Sequence, residues 1–326
     1  MKSLYRALTG CALSLIVAIG AGAQAYQDKS YTPTVDDPTF AKMKGPVVLL
    51  DEAHNNYHTC EGRYRVFCEL LENDGFIVKS NKAPLSAESL KGADVLVIAN
   101  ALNAQNVTDD ENWKTPILPA FSQVEIDAVE QWVAGGGSLL LVSDHMPFPG
   151  AIANMASRFG VIWQNAFAFA ADFDFAHAKG NPNMINFGLS ADASGGIGHA
   201  HPIFQGRNPG AAAQSVTSFT GSAFRLKPNS GVQPLLELGE GTMLLYPMAS
   251  QEQTMQTPNA SGVGLLQGAV LERGAGRVAF MGEAAMFSAR LANFISPGFK
   301  MGINNPDAPY NKQFTLNLFH WLSKNL

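Results

Sequence analysis

The chain has 326 residues, of which 46% are hydrophobic and only 15% charged, and its formal net charge is −5. That is enough apolar material for one large core or two small ones, while the charged fraction falls well below the usual ~25%. An acidic balance argues against nucleic acid or an anionic membrane surface as partner, because both demand clustered Lys and Arg.

Residues 1–25 read as an export signal: Lys2 and Arg6 form a positive start, Cys11 to Ile19 an apolar core, and Ala21-Gly22-Ala23 a small-x-small cleavage pattern. The apolar core is shorter than the ~20 residues a membrane-spanning helix needs, and no later stretch is long and apolar enough. Leu8-Thr9-Gly10-Cys11 looks like a lipoprotein box, but the apolar core follows that cysteine instead of preceding it. The mature protein is therefore expected to be exported, periplasmic or extracellular, without a transmembrane segment.

Residues 26–44 are polar, contain Pro33 and Pro38, and read as an extended N-terminal arm leading into one α/β domain at 45–326. Residues 47–50 are a buried strand. Residues 61–74 read as a helix with Tyr64, Phe67, Cys68, Leu70 and Leu71 on one face, stopped by Gly75. Short strands follow at 76–78 and 93–99, then a long polar connection at 101–120. Ser122 and Glu125 have capping-box spacing at the start of a helix through Val133, which Gly135-Gly136-Gly137 turns into a strand at 138–142. A helix is expected near 151–158. Residues 164–215 read as a long irregular insertion that could cover a pocket as a lid. Strands near 216–219, 234–238, 242–246 and 262–271 suggest antiparallel additions, before a strand at 277–281 and a closing helix at 311–323. The fold expected is a mostly parallel central sheet flanked by helices on both faces.

Cys60 and Cys68 are the cysteines outside the signal. On one straight helix their eight-residue offset places them about 12 Å apart, beyond disulfide reach. With Cys60 in the preceding loop, pairing stays open. The expectation is two buried free thiols.

Four polar tips follow hydrophobic, β-type runs: Asp51-Glu52-Ala53-His54-Asn55-Asn56, Asn100, Ser143-Asp144-His145, and Glu283 after Gly282. In an open parallel sheet the strand carboxyl ends share an edge, where ligands bind. Asp51, Asn55, Asn100 and Asp144 are candidate ligand-binding residues, and His54, His145 and Glu283 are candidate catalytic groups. His54 and His58 have i, i+4 spacing, but Asn55 and Asn56 suggest a loop, which spoils a helical metal pair. His199 and His201 flank Ala200, but Pro202 beside them favours a turn or strand entry. Ser143 lacks the glycines of a nucleophile elbow. Glu283 has two readings, general base or first-turn acid holding the amides of 284–287. His177 is a singleton, and His320 on the last helix reads as structural.

Several segments resemble DUF4350-type proteins, which belong to the group with a class I glutamine amidotransferase-like fold. They are Val48-Leu49-Leu50-Asp51-Glu52-Ala53-His54-Asn55, the run from Glu130 to His145, His201-Pro202-Ile203, Gly276 to Glu283, and Asn317-Leu318-Phe319-His320-Trp321-Leu322. Their order persuades, and the similarity spans most of 45–324. His-Pro-Ile and the final Asn-x-x-x-Trp-Leu are also similar to gliding-motility and trehalose-utilisation relatives of that group. The resemblance implies a flavodoxin-like sheet but no activity. Such amidotransferases place a nucleophilic Cys at the turn where this chain has Asp144 and His145, and the late His-x-Glu pair is missing, so Cys-triad glutamine hydrolysis is not expected.

The leading expectation is an exported domain that binds a small polar ligand, a carbohydrate or cell-envelope fragment, at the strand carboxyl edge. One rival is a hydrolase in which His54 or His145 acts as base, with Asp51 or Glu283 orienting it or helping to hold a divalent metal. Another is an envelope protein-interaction module that uses 164–215 as its contact surface.

Overall fold

The computed structural model describes residues 25–170, 183–189, 195–254, 256–293 and 295–326. The export segment therefore lies outside the described residues, except for Ala25. Among the described residues no helix is long and apolar enough to cross a membrane.

The main sheet contains β1 (Val47–Asp51), β2 (Ile77–Asn81), β3 (Val95–Ala99), β4 (Ser138–Val142) and β5 (Ile185–Gly188). It continues with β6 (Gly195–Gly198), β7 (Ser215–Ser218), β8 (Gln233–Leu238), β9 (Leu266–Arg273) and β10 (Gly276–Met281). Their spatial order is β7-β5-β6-β8-β9-β10-β4-β3-β1-β2. Short strands at Phe224–Leu226 and Val161–Trp163 attach beside β9.

The expectation of a mostly parallel sheet is corrected: the sheet is mixed. β2, β1, β3, β4 and β10 pair in parallel. Beyond β10 the pairings are antiparallel, except between β5 and β6. The chain's connections supply the reason. β9 and β10 are joined by only Gly274 and Ala275, with Gly274 at φ 61°, and a two-residue hairpin can only make antiparallel neighbours. The parallel block instead uses helical crossovers: α1 (Arg65–Asn73) between β1 and β2, and α2 (Gln123–Ala134) between β3 and β4.

Successive strand residues point to opposite faces, and here both faces are covered. Val48, Leu50, Val97 and Leu140 pack with Phe67 and Leu71 of α1 and with Phe314 and Phe319 of α5 (Asn311–Leu322). Leu49, Leu96, Leu139 and Leu141 pack with Ile126 and Val129 of α2 and Ile152 of α3 (Phe148–Arg158). Each fully buried aliphatic or aromatic side chain of this kind contributes about 1.5–3 kcal/mol. The capping box forms in both directions, with Ser122 accepting from the Glu125 amide and Glu125 from the Ser122 amide. The triple glycine is needed for packing: Gly136 sits at φ 121°, and a Cβ on Gly137 would run into the Trp132 ring.

The described part of 164–215 holds more regular structure than expected. It contains the strand Phe167–Ala170, β5, β6 and α4 (Pro202–Gln205). Glycines at 188, 195, 196 and 198 hide the usual β pattern there. Residues 171–182 and 190–194, including His177, lie outside the described residues.

The arm at 26–44 is strapped down. Tyr26–Gln27 pairs with the strand Ala289–Leu291, and Arg65 Nη2 donates to the carbonyls of Asp28 and Tyr31 at 3.0 Å each. His320 Nε2 lies 2.6 Å from both Thr39 Oγ1 and Asp74 Oδ2, pinning the arm to α5.

The two-thiol expectation is overturned, because Cys60 and Cys68 form a disulfide with Cα atoms 5.7 Å apart. The helix begins at Arg65, and Thr59–Tyr64 form a turn in which the Gly62 and Tyr64 amides donate to the Thr59 carbonyl. Cys60 thus folds back over the first turn of α1.

Candidate functional site

Parallel register brings the carboxyl ends of β1, β3, β4 and β10 to one edge, so Asp51, Asn100, Asp144 and Glu283 share it. Within that edge they divide into two clusters. The loop 52–58 joins them, placing His54 in one and His58 in the other.

The first cluster is closed. His54 Nδ1 lies 2.8 Å from Asp51 Oδ2, and His54 Nε2 lies 2.8 Å from Glu125 Oε1. Asp51 also accepts from Asn81 Nδ2 at 3.2 Å. Glu125 also accepts from the Leu85 amide at 3.1 Å and from the Ser122 amide and hydroxyl. Burial alone would lower the His54 pKa, but hydrogen bonds and charge from Asp51 and Glu125 outweigh it and hold the pKa above the usual histidine value. Burial likewise pushes Glu125 up, and the Ser122 and His54 bonds bring it below the usual carboxylate value. With both ring nitrogens spent on carboxylates, His54 has no lone pair for a substrate proton. The general-base role expected of it is therefore corrected to a buried ionic pin. Glu125 was legible only as a capping residue; its contact across 71 positions of chain had no local signal.

The second cluster is not fully paired. Asn100 sits at φ 50°, a left-handed conformation that Asn tolerates. Its Oδ1 accepts from the Asp144 amide at 2.8 Å, and its Nδ2 faces His58 Nδ1 at 3.2 Å. Since an amide nitrogen only donates, His58 Nδ1 is the acceptor and Nε2 carries the proton. His58 is 1% exposed, and among the described residues its Nε2 has no partner. Burial, followed by the nearby charges of Arg290, Arg63 and His145, holds its pKa well below the usual histidine value.

Glu283 is fully buried, and its two oxygens accept from the Ala285 amide at 2.5 Å and the Met286 amide at 2.7 Å. This is the first-turn arrangement weighed above. Burial and then the charge of Asp144 push its pKa up to about 8, against the two amide bonds and Arg290. Asp144 Oδ1 accepts from the His145 amide at 2.8 Å. The half-buried His145 ring stacks on Phe167 at 4.3 Å, and its Nδ1 donates to the Met146 carbonyl at 2.7 Å.

Arg290, on the short strand Ala289–Leu291, was not foreseen. It is 9% exposed, and among the described residues its Nη2 reaches only Met301 Sδ at 3.5 Å and its Nε has no partner. Its signal in the sequence was slight: a lone charge in the apolar run Ala284–Leu291. Tyr64, also missed, packs its ring 4.5 Å from His58 and donates to the Ala284 carbonyl at 3.3 Å. Toward solvent, the Arg63 guanidinium lies 3.6 Å above the Tyr57 ring, and the Tyr57 hydroxyl donates to Glu111.

The other candidates stay outside both clusters. Asn55 is exposed and donates to the Leu102 carbonyl at 3.2 Å. His199 pairs with Glu237 at 2.8 Å, while His201 accepts from the Ile203 amide and caps α4. Among the described residues, no three His, Cys, Asp or Glu side chains are arranged to hold a metal ion.

No family model matches the chain, and no curated protein matches it by sequence. Solved structures similar to it include the mmIFT52 N-terminal domain, at 15% identity over 85% of this chain and 97% of that one, with a TM-score of 0.56. Cytoplasmic protein STM1381 from Salmonella typhimurium LT2 is 12% identical over 85% and 98% of the two chains, with a TM-score of 0.47. A ThuA-like protein from Bacteroides uniformis ATCC 8492 is 13% identical over 88% and 95%, with a TM-score of 0.45. The first likeness shows a shared α/β fold and nothing further.

Proposed function

We propose that this chain is an exported domain of glutamine amidotransferase-like fold that binds a small polar ligand, a carbohydrate or cell-envelope fragment, at the carboxyl edge of β3, β4 and β10. One observation carries the reading: His58 and Arg290, both deeply buried, keep unspent donors beside Asp144 and Glu283. A buried donor without an acceptor costs about 1–3 kcal/mol, whereas the Asp51–His54–Glu125 chain pairs both ring nitrogens of its histidine. Carboxylates, an amide and an imidazole in one place suit the hydroxyls of a sugar. The disulfide suits an oxidising compartment and supports export.

Calorimetric titration of the mature protein with monosaccharides, disaccharides and muropeptides tests the reading. Saturable binding, weakened at least about tenfold by Asp144→Asn, is expected. Absence of saturable binding across the panel at millimolar concentration sinks it and leaves the interaction-module rival.

A second reading, hydrolysis, is favoured by the raised Glu283 pKa beside Asp144. A carboxyl that keeps its proton near neutral pH can act as a general acid, with His145 Nε2 as the available base. Turnover that survives both Glu283→Gln and His145→Ala removes this reading.

A further inference from the structure

The Arg290 side chain has a charge and donors that the rest of the fold does not use. A guanidinium offers five N–H donors in a planar fork, yet among the described residues this one forms no ion pair, and its sole hydrogen bond goes to a thioether. Burying an unpaired cation is costly, and native proteins pair such groups. Glu283 is close enough to feel Arg290, but its oxygens already receive two backbone amides. The neighbouring His58 Nε2–H is a second unspent donor, and Arg290 heads the charges that act on it.

Two donors of this kind, each buried and without an acceptor among the described residues, call for an anion. The geometry points to a carboxylate: we propose that Arg290 and His58 receive the carboxylate of a small hydroxylated acid, while Asp144 accepts from its hydroxyl groups. A planar carboxylate matches the guanidinium fork in a two-pronged contact. A phosphate, with up to twice the charge, would face stronger repulsion from Asp144. The inference rests on the polar-ligand reading above and narrows it from sugars in general to acidic sugars.

Calorimetry at pH 7 with glucuronate, glucose and glucose 6-phosphate tests it on the intact mature protein. Glucuronate is expected to bind at least about tenfold tighter than glucose, as for a charge-assisted contact. Arg290→Gln should lower glucuronate affinity at least about tenfold more than glucose affinity. Should that variant fail to fold, Arg290→Lys keeps the charge but removes the fork, and a smaller loss, again larger for glucuronate than for glucose, is expected. Equal affinity for glucuronate and glucose in the unmodified protein overturns the acid assignment and leaves the polar-ligand reading standing. A preference for glucose 6-phosphate overturns the carboxylate in favour of a phosphate. Failure of all three to bind, with the neutral sugars of the wider panel also silent, overturns both.

Discussion

At the β1 end of the strand edge, a histidine sits between two carboxylates, each with further donors, and both its ring nitrogens are paired. At the β3–β10 end a histidine and an arginine, as deeply buried, keep N–H groups that no described residue accepts. The residue types are nearly the same, and both ends are walled by the loop 52–58. Hydrogen-bonding capacity is spent at one end and unspent at the other. Burial and charge alone would have ranked both clusters as sites; satisfaction separates the one that holds the loop in place from the one proposed to receive a ligand.

The largest effect is expected from His54→Ala, which leaves Asp51 and Glu125 facing each other without the cation. The loss should be about 3–5 kcal/mol in chemical denaturation, with ligand affinity of the remaining folded protein unchanged. The His54 pKa is raised on folding, so its stabilisation is complete below the ordinary histidine value of ~6.5 and is lost as pH rises through the raised one. The difference between the native chain and the variant should therefore shrink toward alkaline pH. A difference constant with pH would mean that His54 is not held as a cation.

Glu283 sharpens the contrast from the other end. Its folded pKa of about 8 lies above the ordinary glutamate value of 4.5, so the folded state holds the proton more tightly. Stability from this group is full below 4.5 and declines as pH rises toward about 8. Glu283→Gln should remove that slope, up to about 5 kcal/mol between the two limits. Melting curves from pH 5 to 9 that fall equally steeply in both proteins would contradict a protonated Glu283.

The smallest of the three effects concerns the shared wall. Replacing Cys60 and Cys68 by Ser opens a loop of eight-residue separation, expected to cost about 2–3 kcal/mol. Because Cys60 follows His58 in the same loop, ligand affinity should fall as well. Undiminished affinity in the double variant would show that the Asp144 cluster keeps its geometry without the disulfide.

Much of the positional information was local. The runs Val47–Leu50, Val95–Ala99, Leu139–Val142 and Val278–Met281 are buried strands, and the polar residues just past them do meet at one edge. The capping box at Ser122 and the turn at Gly135–Gly137 were equally readable. The β5–β6 region was not, since glycine-rich strands lack the alternation that marks a half-buried sheet. The cysteine pairing failed on a helix boundary: a start at residue 61 separates the thiols, whereas a start at Arg65 lets Cys60 fold back.

Local pattern determined which residues stand at strand tips, because hydrophobic period and turn chemistry are written within a few neighbouring positions. Only the tertiary structure decided what those tips do. His54 is silenced by a glutamate 71 residues away, and Arg290 reaches the Asp144 cluster from a strand that follows β10. Whether a buried donor is satisfied depends on which distant segments cross beside it, and chain crossings leave no periodic mark in the residues that make them.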